Sequence, residues 1–276
     1  MSGEHGVRTL EQRIAWTSTR WVTGLVLVFL MAPILAIMPL SFSSSIYLTY
    51  PLPGLSLRWY EEFLTSPVWM RALKNSMIIG VGSTFLSMIL GTLAALGLNA
   101  WQSRFKPLVL SVVLSPMVVP MVITAVGTYF FFAPLGLTGN YAGLILVHTA
   151  LAAPFVVVTV SATLQGFDMN LMRAAASLGA PPHVTFFRVV LPLIAPGLAS
   201  GALFAFGTSF DEVVTVLFLA GPEQRTLPRE MFSGIRENIS PTITAAAVIL
   251  TGFSVLFLAS LEWLRRRNEK LQGKAK

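Results

Sequence analysis

Asp211 and Glu212 form the one acidic pair set inside a long apolar run, between residues 204–210 and residues 213–219. A carboxylate at the centre of a membrane helix costs about 2.5–3.5 kcal/mol on insertion scales, so it faces a cavity or a partner. On a single helix, adjacent side chains point about 100° apart, so both cannot face one spot equally. Two readings stay open: a cation-facing site, or a helix-end carboxylate paired with Arg or Lys of a loop or partner chain. With Phe206 and Phe210 nearby, carboxylates and aromatic faces together suit a cationic ligand. No other chemistry has a complete residue set. There are three His and no Cys, hence no disulfide, no thiolate metal site and no cysteine nucleophile. Neither Gly-x-Ser-x-Gly nor Gly-x-x-x-x-Gly-Lys-Ser/Thr occurs, so neither a hydrolase elbow nor a nucleotide-binding P-loop is expected. His148 stands alone in an apolar run, without a nearby Asp, Glu or Cys, and reads as a packing hydrogen bonder rather than a metal ligand. The chain is expected to hold no catalytic set, no metal and no cofactor.

The elements that must carry these residues follow from composition. Of 276 residues, 54% are hydrophobic and 11% charged, and the mean hydropathy is +0.72. A soluble domain carries roughly 25% charged residues; this chain has too little polar material for a water-facing surface and reads as an integral membrane protein. The net charge of +7 would suit nucleic acid, but the basic residues flank apolar spans. They mark a cytoplasmic rim obeying the positive-inside rule, with no nucleic-acid partner expected.

Six apolar runs are long enough to cross a bilayer as helices, at roughly 20 residues each. They are residues 21–40, 72–98, 108–132, 141–164, 193–219 and 242–264. The first is too long for a signal peptide and reads as an uncleaved span. The second carries Gly80, Gly82, Ser83, Ser87, Gly91, Ala94 and Ala95, small residues that let helices approach closely in lipid. Asn75, near its start, reads as a helix-packing hydrogen bonder. Pro116 and Pro120 should kink the third span, each lacking an N–H and clashing with the preceding turn. Residues 57–64 are amphipathic and rich in aromatics, suited to anchoring at the interface. The domain layout is thus a cytoplasmic segment 1–20, a membrane domain 21–264 and a basic tail 265–276.

Orientation follows from basic residues. Arg8, Arg13, Arg20, Arg104, Lys106, Arg173 and Arg188 share one side with the tail residues Arg265, Arg266, Arg267, Lys270, Lys274 and Lys276. The opposite side has Arg58, Arg71, Lys74, Arg225, Arg229 and Arg236. The richer side is the cytoplasmic one, so both termini are expected inside the cell.

Residues 172–192, MRAAASLGAPPHVTFFRVVLP, lie on that inner side. Ala174, Ala175 and Ala176 favour a helix, Asp168 or Asn170 suits its N-cap, and Gly179 suits its end. Pro181 and Pro182 suit the first turn of a second short helix, reaching Pro192 where the next span begins. The spacing Ala174-Ala175, three residues, Gly179, nine residues, Val189-x-Leu191-Pro192 resembles the EAA loop of ABC importer permeases. Arg173 replaces the family's Glu, and Val189 its Ile. The charge reversal at Arg173 means that a salt bridge made by the family's Glu does not carry over.

The resemblance implies an all-α membrane protein with six transmembrane helices, a type I ABC importer permease fold and a cytoplasmic coupling helix. It implies a bacterial inner-membrane location and a non-catalytic role, with ATP used by partner subunits. It implies as partners a second homologous permease, two ATP-binding subunits and an extracytoplasmic substrate-binding protein, beside membrane lipid. The coupling residues would be Arg173, Ala174, Ala175, Gly179, Val189, Leu191 and Pro192. Phe210-Asp211-Glu212-Val213-Val214, then Gly221-Pro222, Leu227-Pro228 and Ser240-Pro241, resembles the spermidine/putrescine permeases more narrowly. With Asn75-Ser76, this similarity covers residues 72–264. It would place Asp211, Glu212, Phe206 and Phe210 on a substrate path. Permeases for iron, phosphonates, opines and amino-acid derivatives share much of the pattern and stay open, as do an ion-coupled secondary transporter and a membrane scaffold.

Overall fold

Why the second apolar run packs so closely is visible in which of its residues are hidden. The computed structural model describes residues 10–166, 168, 170–237 and 239–273; Arg8, Lys274 and Lys276 lie outside them, as do the side chains of Arg13 and of the tail from Arg265 to Lys270. In the helix Pro67–Ala100 (α3) the buried residues include Ala72, Ser76, Gly80, Ser83, Ser87, Gly91 and Ala95. They recur every three or four positions and so share one face. Ile78, Val81, Phe85, Ile89 and Leu93 are exposed instead. The large apolar side chains thus point outward and the small ones inward, the polarity a helix takes in lipid.

The described chain is helical, without a named strand. In order, the helices are α1 (Leu10–Leu40), α2 (Arg58–Thr65), α3, α4 (Lys106–Leu114), α5 (Met121–Phe132), α6 (Tyr141–Gln165), α7 (Asn170–Ser177), α8 (Pro182–Thr185), α9 (Leu191–Phe210), α10 (Val214–Leu219), α11 (Leu227–Glu237) and α12 (Pro241–Gly273). Among the described residues four helical runs are long and apolar enough to cross a membrane, and a fifth counts if a bent pair is one span. A shorter apolar stretch, Pro241–Phe257, lies in α12. The helices run through the sequence boundaries expected after residues 20 and 264.

The chain packs as two units. One comprises Met1–Phe63 with Ile239–Ile249. In it α1 leads into a short folded segment, held where Ser43 pairs with Leu55 in an isolated antiparallel bridge. Thr242 donates to the Glu62 carboxylate at 3.0 Å in the same unit.

The other unit comprises Leu64–Asn238 and the chain from Leu250 onward. Its centre is α6, with α3 and α9 against it. A Cβ built on Gly91 would lie 2.7 Å from Val156 Cβ, and one on Gly201 2.8 Å from Thr159 Oγ1. One on Gly197 would overlap Thr163 Oγ1. Glycines on both neighbours therefore set the closeness of both helices to one stretch of α6. Two apolar clusters lie along it. Leu144 and Val147 join Ile79, Phe132, Val216 and Leu219; Ala152, Val156, Val160 and Leu164 join Ala95, Val190, Ile194 and Ala205.

Three expected elements differ. The run 108–132 is broken, not merely kinked: Lys106–Met117 and Met121–Leu135 meet at 99°. Pro116 sits in a 3-10 turn, and Pro120 precedes α5 with an extended ψ of 132°. Two missing N–H groups four residues apart leave no continuous ladder between the halves. The run 193–219 also breaks, after Phe210, so the acidic pair lies between helices instead of within one. Finally, the second short helix expected to reach Pro192 does not end there. From Pro182 to Phe210 the chain is one 29-residue run, with a π-helical stretch at Phe186–Val190. Pro192 cannot donate to the Arg188 carbonyl, and Leu191 N–H bonds Phe186 O, so the ladder widens by one residue and continues.

Candidate functional site

Two places gather the residues singled out by sequence. The first is the turn between α7 and α8. The Asp168 carboxylate accepts from Asn170 N–H at 2.9 Å and caps α7. Gly179 has φ +75°. Its N–H donates to Ala176 O at 2.9 Å, and Ala180 N–H donates to Ala175 O at 3.0 Å. This pair of bonds is a Schellman ending, which needs a left-handed residue at the Gly179 position. None of α7 is buried. Arg173 and Ala174 are exposed, and the Arg173 guanidinium donates to Asn170 Oδ1 at 3.3 Å. Leu178 is 88% exposed and Phe187 62%. Val189 and Leu191 are half-buried, and Pro192 is exposed. The hairpin therefore offers apolar side chains on a surface that this chain leaves open. Between the hairpin and the ends of α3 and α6 lies an apolar groove of about 400 Å³, lined by Leu96, Leu164, Met172, Ala176 and Phe186 among others.

The second place is the α9–α10 break. Asp211 is the C-cap of α9, and its N–H donates to Gly207 O at 3.0 Å. It is exposed. With Phe206, Phe210, Phe253 and Phe257 it lines a cavity of about 260 Å³. The rings form a continuous patch: Phe206 to Phe210 is 5.1 Å between centroids, Phe206 to Phe257 5.0 Å, and Phe210 to Phe253 5.6 Å. Phe206 and Phe210 are buried, so the accessible rings are those of Phe204, 51% exposed and also lining the cavity, and Phe253, 38% exposed. An acid beside phenyl faces is the chemistry of a site for an organic cation.

Glu212 does not share that cavity. It is buried, and its Oε1 accepts from Thr215 N–H at 2.7 Å, satisfying an orphan donor at the start of α10. Thr215 Oγ1 lies 3.5 Å from His148 Nε2, and His148 Nδ1 lies 2.8 Å from Ser209 Oγ. Ser83 Oγ donates to Ser209 Oγ at 2.8 Å. One polar network thus ties α3, α6, α9 and α10 together on both sides of Asp211. It sits between the two apolar clusters of α6. His148 is a packing hydrogen bonder here, as its isolation in the sequence suggests; among the described residues no group of three or more His, Cys, Asp or Glu could hold a metal ion.

Asn75 fixes the loop after α10. Its Nδ2 donates to Glu223 O at 2.8 Å and Arg225 O at 2.9 Å, and its Oδ1 accepts from Tyr141 Oη at 2.7 Å. Ser76 Oγ accepts from Leu227 N–H at 2.8 Å. Sequence reasoning missed Phe253 and Phe257, although two Phe four apart in a span share a helix face. It also missed Gly197-x-x-x-Gly201, a small-residue pattern written plainly in the chain.

Comparison with known proteins agrees with this architecture. A family model described as the binding-protein-dependent transport system inner membrane component matches residues 87–270. The chain is 30% identical over 245 residues to the spermidine/putrescine transport system permease protein PotC of Shigella flexneri, covering 89% of this chain and 92% of that protein. It is 34% identical over 251 residues to the putrescine transport system permease protein PotI of Escherichia coli K12, covering 88% of each. The molybdenum transport system permease protein ModB of Mycobacterium bovis is 30% identical over 74% of this chain and 88% of its own length. Among solved structures, a chain of a bacterial ABC transporter involved in alginate import shares the fold at TM-score 0.73 and 17% identity, over 93% of this chain and 96% of that one. A chain of the MetNI methionine ABC transporter does so at TM-score 0.58 and 20% identity, over 72% of this chain and 95% of that one. Family match, relatives and fold agree: this chain belongs to the inner membrane components of binding-protein-dependent transport systems, the permease subunits of ABC importers.

Proposed function

We propose that this permease moves polyamines, with putrescine and spermidine as the first candidates. The observation that carries the reading is Asp211, an exposed carboxylate lining a cavity with five phenylalanines, Phe204, Phe206, Phe210, Phe253 and Phe257. A polyamine alternates ammonium groups with methylene stems; the carboxylate suits the first and the phenyl faces suit both. The identity with PotC and PotI supports the same substrate class. The identity with ModB makes molybdate the specific rival. Asp211 has no ion pair among the described residues, and its charge would repel an oxyanion, which favours the polyamine.

The chain then works as one of two related permeases, with six spans and both termini in the cytoplasm. The broken pair Lys106–Leu135 counts as one span, and α12 as the last. ATP is bound and hydrolysed on two separate subunits. The hairpin of α7 and α8 docks into them through Leu178 and its neighbours, with Arg173, Ala174, Ala175 and Gly179 in the docking helix and turn. Val189, Leu191 and Pro192 join that turn to the long run of α9, so a shift of the hairpin moves a helix that ends at Asp211. A substrate-binding protein delivers the cation from outside. ATP drives the cycle by favouring one of two states.

The test is uptake of labelled putrescine, spermidine and molybdate in cells carrying the whole transporter, with and without this chain. ATP depletion and an ionophore are applied separately. Polyamine uptake that needs the chain and ATP, and survives the ionophore, is the expected result. Uptake abolished by the ionophore alone would point to an ion-coupled carrier. Molybdate uptake without polyamine uptake would overturn the substrate.

A further inference from the structure

Residues 41–57 contain no Lys, Arg, Asp or Glu, and their polarity is inside out. Ser41 and Ser43 are fully buried. Ile46, Tyr47, Tyr50, Leu55 and Leu57 are 54–79% exposed. The interior is well bonded. Ser41 Oγ donates to Met38 O and lies 2.7 Å from Tyr60 Oη. Trp59 Nε1 donates to Ser43 O at 2.7 Å, Ser44 N–H to Gly54 O at 3.0 Å, and Ser56 N–H to Phe42 O at 2.7 Å. Phe42 and Tyr60 pack with centroids 5.1 Å apart. The segment therefore has a definite fold that spends its serines on internal bonds and turns its large apolar side chains outward. A water-facing loop does the reverse.

Its place in the chain says what meets that surface. The segment begins directly after α1 ends at Leu40, and α1 is the most apolar candidate span. The Tyr50 hydroxyl donates to Ala36 O at 2.6 Å. Ala36 is one turn inside the end of the span, so the segment folds back alongside that last turn. There α1 itself exposes Ile34, Ile37 and Met38. A surface that is uncharged, carries Tyr, Ile, Leu and Pro, and sits at the level of a span's final turn matches the headgroup–acyl boundary, where amphipathic rings are favoured. Docking surfaces for soluble proteins carry a polar rim, and charge enters only at Arg58, whose guanidinium lies 4.1 Å over the Trp59 ring.

From this we infer that residues 46–57 form a lipid-embedded foot, inserted into the boundary of the leaflet in which α1 ends. The lipid-facing residues are Ile46, Tyr47, Tyr50, Leu55 and Leu57.

The chain has no cysteine, so single cysteines report cleanly. Tyr47→Cys and Leu55→Cys remove no buried side chain, and either alone suffices if the other fails to assemble. Ile37→Cys serves as the in-span reference, and Glu223→Cys, on a side chain 70% exposed, as the aqueous one. Each is spin-labelled in the whole transporter, reconstituted in phosphatidylethanolamine/phosphatidylglycerol vesicles. Accessibility to oxygen and to a water-soluble nickel chelate is then compared. Labels at 47 and 55 should favour oxygen over nickel, with ratios between those of the two references. A ratio equal to that of position 223 means a water-facing loop and overturns the inference. Labels immobilised and shielded from both reagents mean that a partner protein covers the surface, which also overturns it.

Discussion

Replacing Gly179 separates backbone conformation from partner contact at the proposed coupling turn. Its φ of +75° lies in the left-handed region, yet a Cβ there would meet nothing within 4 Å on this chain. Gly179→Ala therefore costs only the left-handed penalty, roughly 1–2 kcal/mol for a residue with a Cβ. That equals a factor of about 5–30 in the balance between turned and unturned loop. The eight-residue α7 has no buried residue to compensate, and so short a helix is marginal in itself. Losing the turn also frees the carbonyls of Ala175 and Ala176. ATP-dependent uptake by Gly179→Ala should fall by up to that factor while the transporter still assembles. Gly179→Asn should fall less, because Asn tolerates the left-handed region. Gly179→Trp should match Gly179→Ala if the space is open in the assembly, and fall further if an ATPase fills it. Initial uptake rates and ATPase stimulation by the loaded binding protein, measured in proteoliposomes, give both readouts. Wild-type uptake by Gly179→Ala would refute the reasoning, and so would equal losses for Ala and Asn.

Asp211→Asn should raise the KM for polyamine uptake by roughly 10- to 100-fold, the loss of a charged hydrogen bond worth about 1.5–3 kcal/mol, without lowering the melting temperature in detergent. Glu212→Ala should instead lower that temperature, because Thr215 N–H is left buried and unpaired at a cost of about 1–3 kcal/mol; a melting curve unchanged from wild type would contradict its capping role. Asn75→Ala strips partners from Glu223 O, Arg225 O and Tyr141 Oη, and faster proteolysis of the loop before α11 is the expected sign. Gly201→Leu has no room beside Val156 and Thr159, where overpacking costs roughly 1–3 kcal/mol or more; normal yield and melting temperature would show that α9 and α6 do not need their close approach.

The sequence by itself determined the membrane class, the helical fold and the position of the turn between α7 and α8. These rest on local quantities. Apolar length sets a span, alanines and Asp168 set α7, and a glycine, free to take the left-handed conformation, ends it at Gly179. The family pattern across residues 172–192 is likewise a matter of fixed spacing. What a side chain faces is decided elsewhere. Asp211 and Glu212 are neighbours in sequence but part in space. The chain leaves helical geometry after Phe210, and Thr215 N–H draws Glu212 inward while Asp211 stays at the cavity. No periodicity argument could separate them, because that argument assumed one continuous helix. The network through Ser83, His148, Ser209 and Thr215 joins residues up to 132 positions apart, and each looks like an ordinary helix residue alone. Phe253 and Phe257 come to Phe206 and Phe210 only because α12 packs beside α9. The break at Pro116 and Pro120 was foreseeable as a disturbance, but its 99° angle was not. Two missing N–H groups allow a bend, and packing of the halves against their neighbours fixes its size.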